Sequence, residues 1–97
     1  MITLDKQRRL QVSSSLMKHS NLQEGIIYIY QTSSAILLTD DFNPKKYGNF
    51  IVETKLGNKN RFVVPKLVVS ILEKKGWLED GILCINSEGY LCIKGIS

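Results

Sequence analysis

Eight cationic side chains in and around two short stretches hold most of the chemistry this chain can offer. LDKQRRLQV, residues 4–12, carries Lys6, Arg8 and Arg9, with Lys18 shortly after it. TKLGNKNRFVVPK, residues 54–66, carries Lys55, Lys59, Arg61 and Lys66. In both stretches a polar turn precedes an arginine, and apolar residues at strand spacing follow: Leu10 and Val12 after Arg9, then Phe62, Val63 and Val64 after Arg61. Setting Arg9 against Arg61 makes the arrangement recur at an offset of 52 residues. Cations gathered on turns suit the phosphate backbone of a nucleic acid, which gives affinity through counterion release and carries little sequence information. An arginine at such a turn can also enter a groove and read base edges or groove width. Two plainer readings stand beside this one. The side chains are ordinary solvated charge, or Arg9 and Arg61 hold their own turns in shape, with Asp5 the obvious partner of Arg9.

The charge distribution sharpens the first reading. The net charge is +4, but residues 1–23 alone carry +3 and residues 55–66 carry +4 without one acid, so the rest of the chain is net acidic. Segregation of this kind focuses a local field that the total charge does not reveal.

The elements that must position these cations read as a repeat. Ile2-Thr3-Leu4 has the pattern of a short strand, Asp5 to Arg8 of a turn, and Arg9 to Val12 of a second strand. Ser13-Ser14-Ser15 supplies N-capping hydroxyls for a helix to about Ser20, closed by residues 21–25. Residues 26–30 and 35–38 then form a hairpin around Thr32-Ser33-Ser34. The second half follows the same order. Asn49 to Lys55 is a strand, Gly57-Asn58-Lys59-Asn60 a turn, and Arg61 to Val64 a strand. Pro65 opens a helix that ends at Lys75 before Gly76, and residues 82–85 and 90–93 close with another hairpin. Each half reads β-turn-β-helix-β-turn-β. The expectation is one domain over residues 1–97, built of repeats at about 1–40 and 49–97 with a polar connector at 40–48. Four short strands bury little alone, so the halves are expected to face each other.

Composition excludes several classes. At 97 residues with 43% apolar and 23% charged residues, the chain is one ordinary globular domain. No apolar run reaches the ~20 residues of a bilayer span, and the N-terminus lacks a signal-peptide pattern, so a cytoplasmic protein with no membrane partner is expected. Cys84 and Cys92 read as buried thiols; if residues 82–93 form a hairpin they are cross-strand neighbours, and a disulfide is geometrically conceivable. With His19 in an unrelated segment they make no zinc site, and no cofactor is expected. The serine run has no adjacent base, and Glu73, Glu79 and Asp80 show no acid/base pairing, so no catalytic residue is assigned. Trp77 reads as a plug where helix meets strand. Tyr28 and Tyr30 share a strand face, where packing is favoured over base stacking.

The order hairpin, short helix, hairpin resembles the AbrB/SpoVT-type swapped-hairpin DNA-binding family. Asp5, Arg9, Leu10 and Val12 match the family signature in the first half, and Arg61, Phe62, Val64 and Pro65 in the second. Gly25 and Gly81 match the glycine that opens the third strand. The family's usual glycine before the arginine is Arg8 in one half and Asn60 in the other; its proline is Ser13 in the first, and its aspartate is Gly57 in the second. Two copies in one chain are also distantly similar to the MraZ type, which keeps the aspartate in both halves. The resemblance implies a mainly β fold with short helices, a pseudo-twofold swapped-hairpin β-barrel of two ββαββ-like halves. It implies a bacterial transcriptional regulator that meets double-stranded DNA through strands and loops. Lys6, Arg8, Arg9, Lys18, Lys55, Lys59, Arg61 and Lys66 are then the DNA-binding candidates, and a homodimer or other self-association is expected. An antitoxin-like or other protein-binding module is the alternative. Antitoxins of this fold trail a toxin-binding segment, whereas this sequence ends at Ile96-Ser97, directly after its last expected strand. An enzyme is not expected.

Overall fold

A computed structural model of the chain describes residues 1–20 and 22–96; two positions named above, Asn21 at the close of the first helix and the final Ser97, lie outside them. The architecture is mainly β with short helices. In chain order the elements are β1 (Arg9–Gln11), α1 (Ser14–His19), β2 (Gly25–Gln31), β3 (Ile36–Thr39), α2 (Pro44–Tyr47), β4 (Asn49–Leu56), a 3-10 turn (Asn58–Asn60), β5 (Arg61–Val63), α3 (Lys66–Lys75), α4 (Trp77–Asp80), β6 (Gly81–Ile85) and β7 (Leu91–Gly95). β1 and β5 form a two-stranded antiparallel ribbon, and the other strands a five-stranded sheet in the order β4-β2-β3-β7-β6.

Local chemistry explains the helix ends. The Ser13 hydroxyl accepts from the Leu16 amide at 3.2 Å and caps α1. Pro65 caps α3 without a side-chain bond, and Gly76 closes it in the left-handed conformation at φ 72°. α3 buries Val68 and Leu72, four residues apart on one face.

One face of the large sheet builds the main core. Ile27, Ile29, Ile36, Leu38, Leu91 and Ile93 pack there with Leu10 and Phe62 from the ribbon and with Val12, Val64, Val68 and Leu72. Residues 40–48 cover part of the opposite face, around Tyr30. This segment, expected as a polar connector, folds α2 and buries Tyr47 against Tyr30, Leu37 and Cys92. Tyr30 is fully buried, so base stacking is closed to it. Its hydroxyl donates to the Asp41 carbonyl at 3.0 Å and accepts from the Asn43 amide at 2.8 Å. Tyr30→Phe strands both backbone groups and is expected to cost about 1–3 kcal/mol. Denaturant unfolding of this variant, with Tyr28→Phe as the control, checks it.

Two expectations need correction. Ile2-Thr3-Leu4 is not a strand: the Ile2 amide donates to the Leu78 carbonyl at 3.0 Å, which ties this segment to α4 rather than to a sheet edge. The ladders accordingly do not close into a barrel, and β6 remains an outer strand. The two strand-opening glycines also differ in their reasons. Gly25 has φ +132° with nothing within 4 Å of an added Cβ, so conformation demands it. Gly81 has φ −96°, open to any residue, but an added Cβ would collide with the Trp77 carbonyl oxygen, so space demands it. No helix among the described residues is long and apolar enough to cross a membrane.

Candidate nucleic-acid interface

The ribbon brings the two arginine segments together. Leu10 lies opposite Phe62, and both point into the core. Arg9 lies opposite Val63 and Gln11 opposite Arg61, all four on the outward face; Gln11 and Val63 are exposed, and the two arginines are partly buried. The bonds flanking the ribbon follow the offset of 52 seen in the sequence. The Asp5 amide donates to the Arg9 carbonyl as the Gly57 amide does to that of Arg61, and the Val12 amide donates to the Asn60 carbonyl as that of Val64 does to Arg8. A local twofold axis therefore passes between Leu10 and Phe62.

The backbone of the two turns explains their residue types. Arg8 and Asn60, again 52 positions apart, both adopt the left-handed conformation at φ 60° and 57°. This is the conformation that glycine takes most readily, and asparagine is the best-tolerated substitute. Lys59 also has positive φ, at 62°. Arg8 therefore holds a place where a side chain is strained, and its Nε donates to the Val64 carbonyl at 3.4 Å. Relief of about 1–2 kcal/mol of left-handed strain offsets the flexibility and the lost bond in Arg8→Gly, so its melting temperature is expected to stay within a few degrees of the parent. Calorimetry checks this.

The twofold breaks where Gly57 stands in the place of Asp5, and that break sets the electrostatics. The Asp5 carboxylate accepts from the Arg9 Nε at 2.7 Å, from the Arg9 amide at 2.9 Å and from the Gln7 amide at 2.8 Å. The Arg9 backbone bond, with the guanidinium and the Gln7 amide behind it, holds the Asp5 carboxyl below its usual range. The counterpart of Asp5 is Gly57, which has no carboxylate to give. Among the described residues Arg61 makes no ion pair. Of the two symmetry-related guanidiniums, one is tethered and the other is free.

A shallow depression of about 300 Å³ is lined by Arg9, Lys55, Arg61, Asn58 and Val63, so Arg9 of the first half joins strands and a turn of the second there. No acidic side chain lines it. Lys6 stands beside it, lining a second small hollow with Asp5, Gln7 and Arg9, and Lys59 is exposed at the tip of the 3-10 turn. Lys18 and Lys66 are exposed on α1 and α3, and neither lines the shared depression. Gln11, not singled out in the sequence, donates from its side-chain amide to the Lys59 carbonyl and so joins β1 to the opposite turn. Only the strand pairing makes that role visible.

The comparisons name no relative. No family model, no curated protein and no solved structure matches the chain. The reading of this surface therefore rests on its own geometry. No group of three or more metal-ligating side chains occurs among the described residues.

Proposed function

We propose that the ribbon face binds the phosphate backbone of double-stranded DNA, and that the chain is a tandem regulator of the AbrB/SpoVT type. The observation that carries this reading is the shared depression: Arg9, Lys55 and Arg61 converge on it from both halves, and Arg61 has no ion-pair partner among the described residues. The paired hydrogen bonds at an offset of 52 support the view that the halves are two copies of one unit. On this reading the two-stranded ribbon and the five-stranded sheet are the parts that the two halves build together. Phosphate contacts from a curved cationic ribbon position a duplex without reading much sequence, so broad tolerance for target sequence is expected.

The test is a fluorescence titration of labelled duplex at several salt concentrations. Three phosphate contacts give a log–log salt slope near −2.7, a loss of roughly 40-fold in affinity between 50 and 200 mM salt. Affinity indifferent to salt over that range sinks the proposal. A second reading, a protein-binding module, is favoured by one observation: Phe42 and Phe50 are exposed and packed edge-to-face at 5.1 Å on the sheet's outer side. Solution mass alone and with duplex separates the two, because self-association through that patch does not depend on DNA.

A further inference from the structure

The two cysteines form a site that the cationic ribbon does not use. Cys84 on β6 and Cys92 on β7 are direct cross-strand partners, and their Sγ atoms stand 3.6 Å apart with both thiols free. Opposed residues of an antiparallel pair have Cα atoms about 4.5–5.5 Å apart, inside the range of about 4.4–6.8 Å that a disulfide spans. Both side chains lie on the outer sheet face, in the cluster with Tyr30, Leu37 and Tyr47. Their exposures differ. Cys84 is half-buried, whereas Cys92 is 1% exposed, and burial together with its neighbour pushes its thiol up to about 12.

We propose that Cys84 and Cys92 are a reversible oxidation site for small hydroperoxides, with Cys84 reacting first and Cys92 resolving it into a disulfide across the β6–β7 hairpin. The Cys84 thiolate attacks one peroxide oxygen. The S–O bond forms, the O–O bond breaks, and the departing hydroxide takes a proton to become water, leaving a sulfenic acid. Cys92 sulfur then attacks the Cys84 sulfur. The S–S bond forms, the S–O bond breaks, and hydroxide leaves as a second water with the Cys92 proton. Two thiols are oxidised by two electrons and one hydrogen peroxide is reduced to two waters. The order follows from access: the half-buried thiol of Cys84 meets the oxidant and the buried one of Cys92 meets only its neighbour. The product staples a strand at the sheet's outer edge to the strand inside it.

The experiment treats the folded chain with a small excess of hydrogen peroxide and follows intact mass and free-thiol count. The expected product is monomeric, about 2 Da lighter, has lost both thiols together, and recovers both with dithiothreitol. In Cys92→Ser the reaction is expected to stop at a sulfenic acid trapped by dimedone. In Cys84→Ser the surviving thiol is expected to react on the order of tenfold more slowly than Cys84 does in Cys92→Ser. Thiols that persist in the folded parent, a disulfide-linked dimer, or equal rates in the two variants overturn the proposal.

Discussion

Arg61→Glu is expected to weaken duplex binding by about 10- to 100-fold at 100 mM salt and to flatten the salt slope by about one unit. The substitution removes one phosphate contact and sets a carboxylate against the polyanion. Its effect on folding is expected to be small, because Arg61 lies on the outward face of the ribbon and has no ion pair among the described residues to lose. Arg9→Glu is the instructive contrast. There the lost cation is already partly neutralised by Asp5 at 2.7 Å, and the new carboxylate faces an old one. Its loss of binding is expected to be smaller and its loss of stability larger. Parallel titrations and thermal melts of the two variants check the ranking, and equal behaviour in both would falsify the distinction between a tethered and a free guanidinium.

Gly81→Ala is expected to be strongly destabilising although it adds a single carbon. An added Cβ would collide with the Trp77 carbonyl oxygen and meet the Trp77 Cβ at 2.9 Å. The nearer obstacle is main chain held in α4, so α4 or β6 must shift. Overpacking of this kind costs about 1–3 kcal/mol or more, and at this chain length about 3 kcal/mol lowers the melting temperature by roughly 10–20 °C. Gly95, the cross-strand partner of Gly81, fails differently, because its added Cβ meets the Trp77 Nε1 at 2.8 Å. Trimming that indole is therefore expected to rescue Gly95→Ala but not Gly81→Ala. Melts of the two single variants and their doubles with Trp77→Leu check both statements.

Much of this was readable from local chemistry. The Ser13 cap, the Gly76 stop of α3 and the β2–β3 and β6–β7 hairpins follow from residues within a few positions of one another, whereas β4 and β5, expected to pair with each other, ladder with β2 and β1. The arginine spacing was legible too, because turn residues and strand alternation are local signals. What escaped the sequence depends on distant partners. Ile2-Thr3-Leu4 alternates like a strand, yet its one described backbone bond goes to Leu78, far along the chain. The segment 40–48 looks polar, but Tyr47 finds a buried place against Tyr30 and donates its hydroxyl to Asp41 at 2.9 Å. At the candidate site, the sequence placed Asp5 near Arg9 and showed Gly57 in the corresponding position. Only the paired strands reveal that Gln11 reaches the opposite turn, that Arg9 and Arg61 share one hollow with Lys55, and that Lys18 and Lys66 stand outside it.

The axis between Leu10 and Phe62 has one more consequence. A half-turn about it maps ribbon bonds onto ribbon bonds, but exchanges an occupied guanidinium for an unoccupied one. The surface thus has a head and a tail although the four flanking backbone bonds of its ribbon have neither. An extended polyanion lying across it would meet unequal grips at its two ends, and would settle in one orientation in preference to the reverse. A single aspartate-to-glycine difference is enough to give a near-palindromic surface a direction.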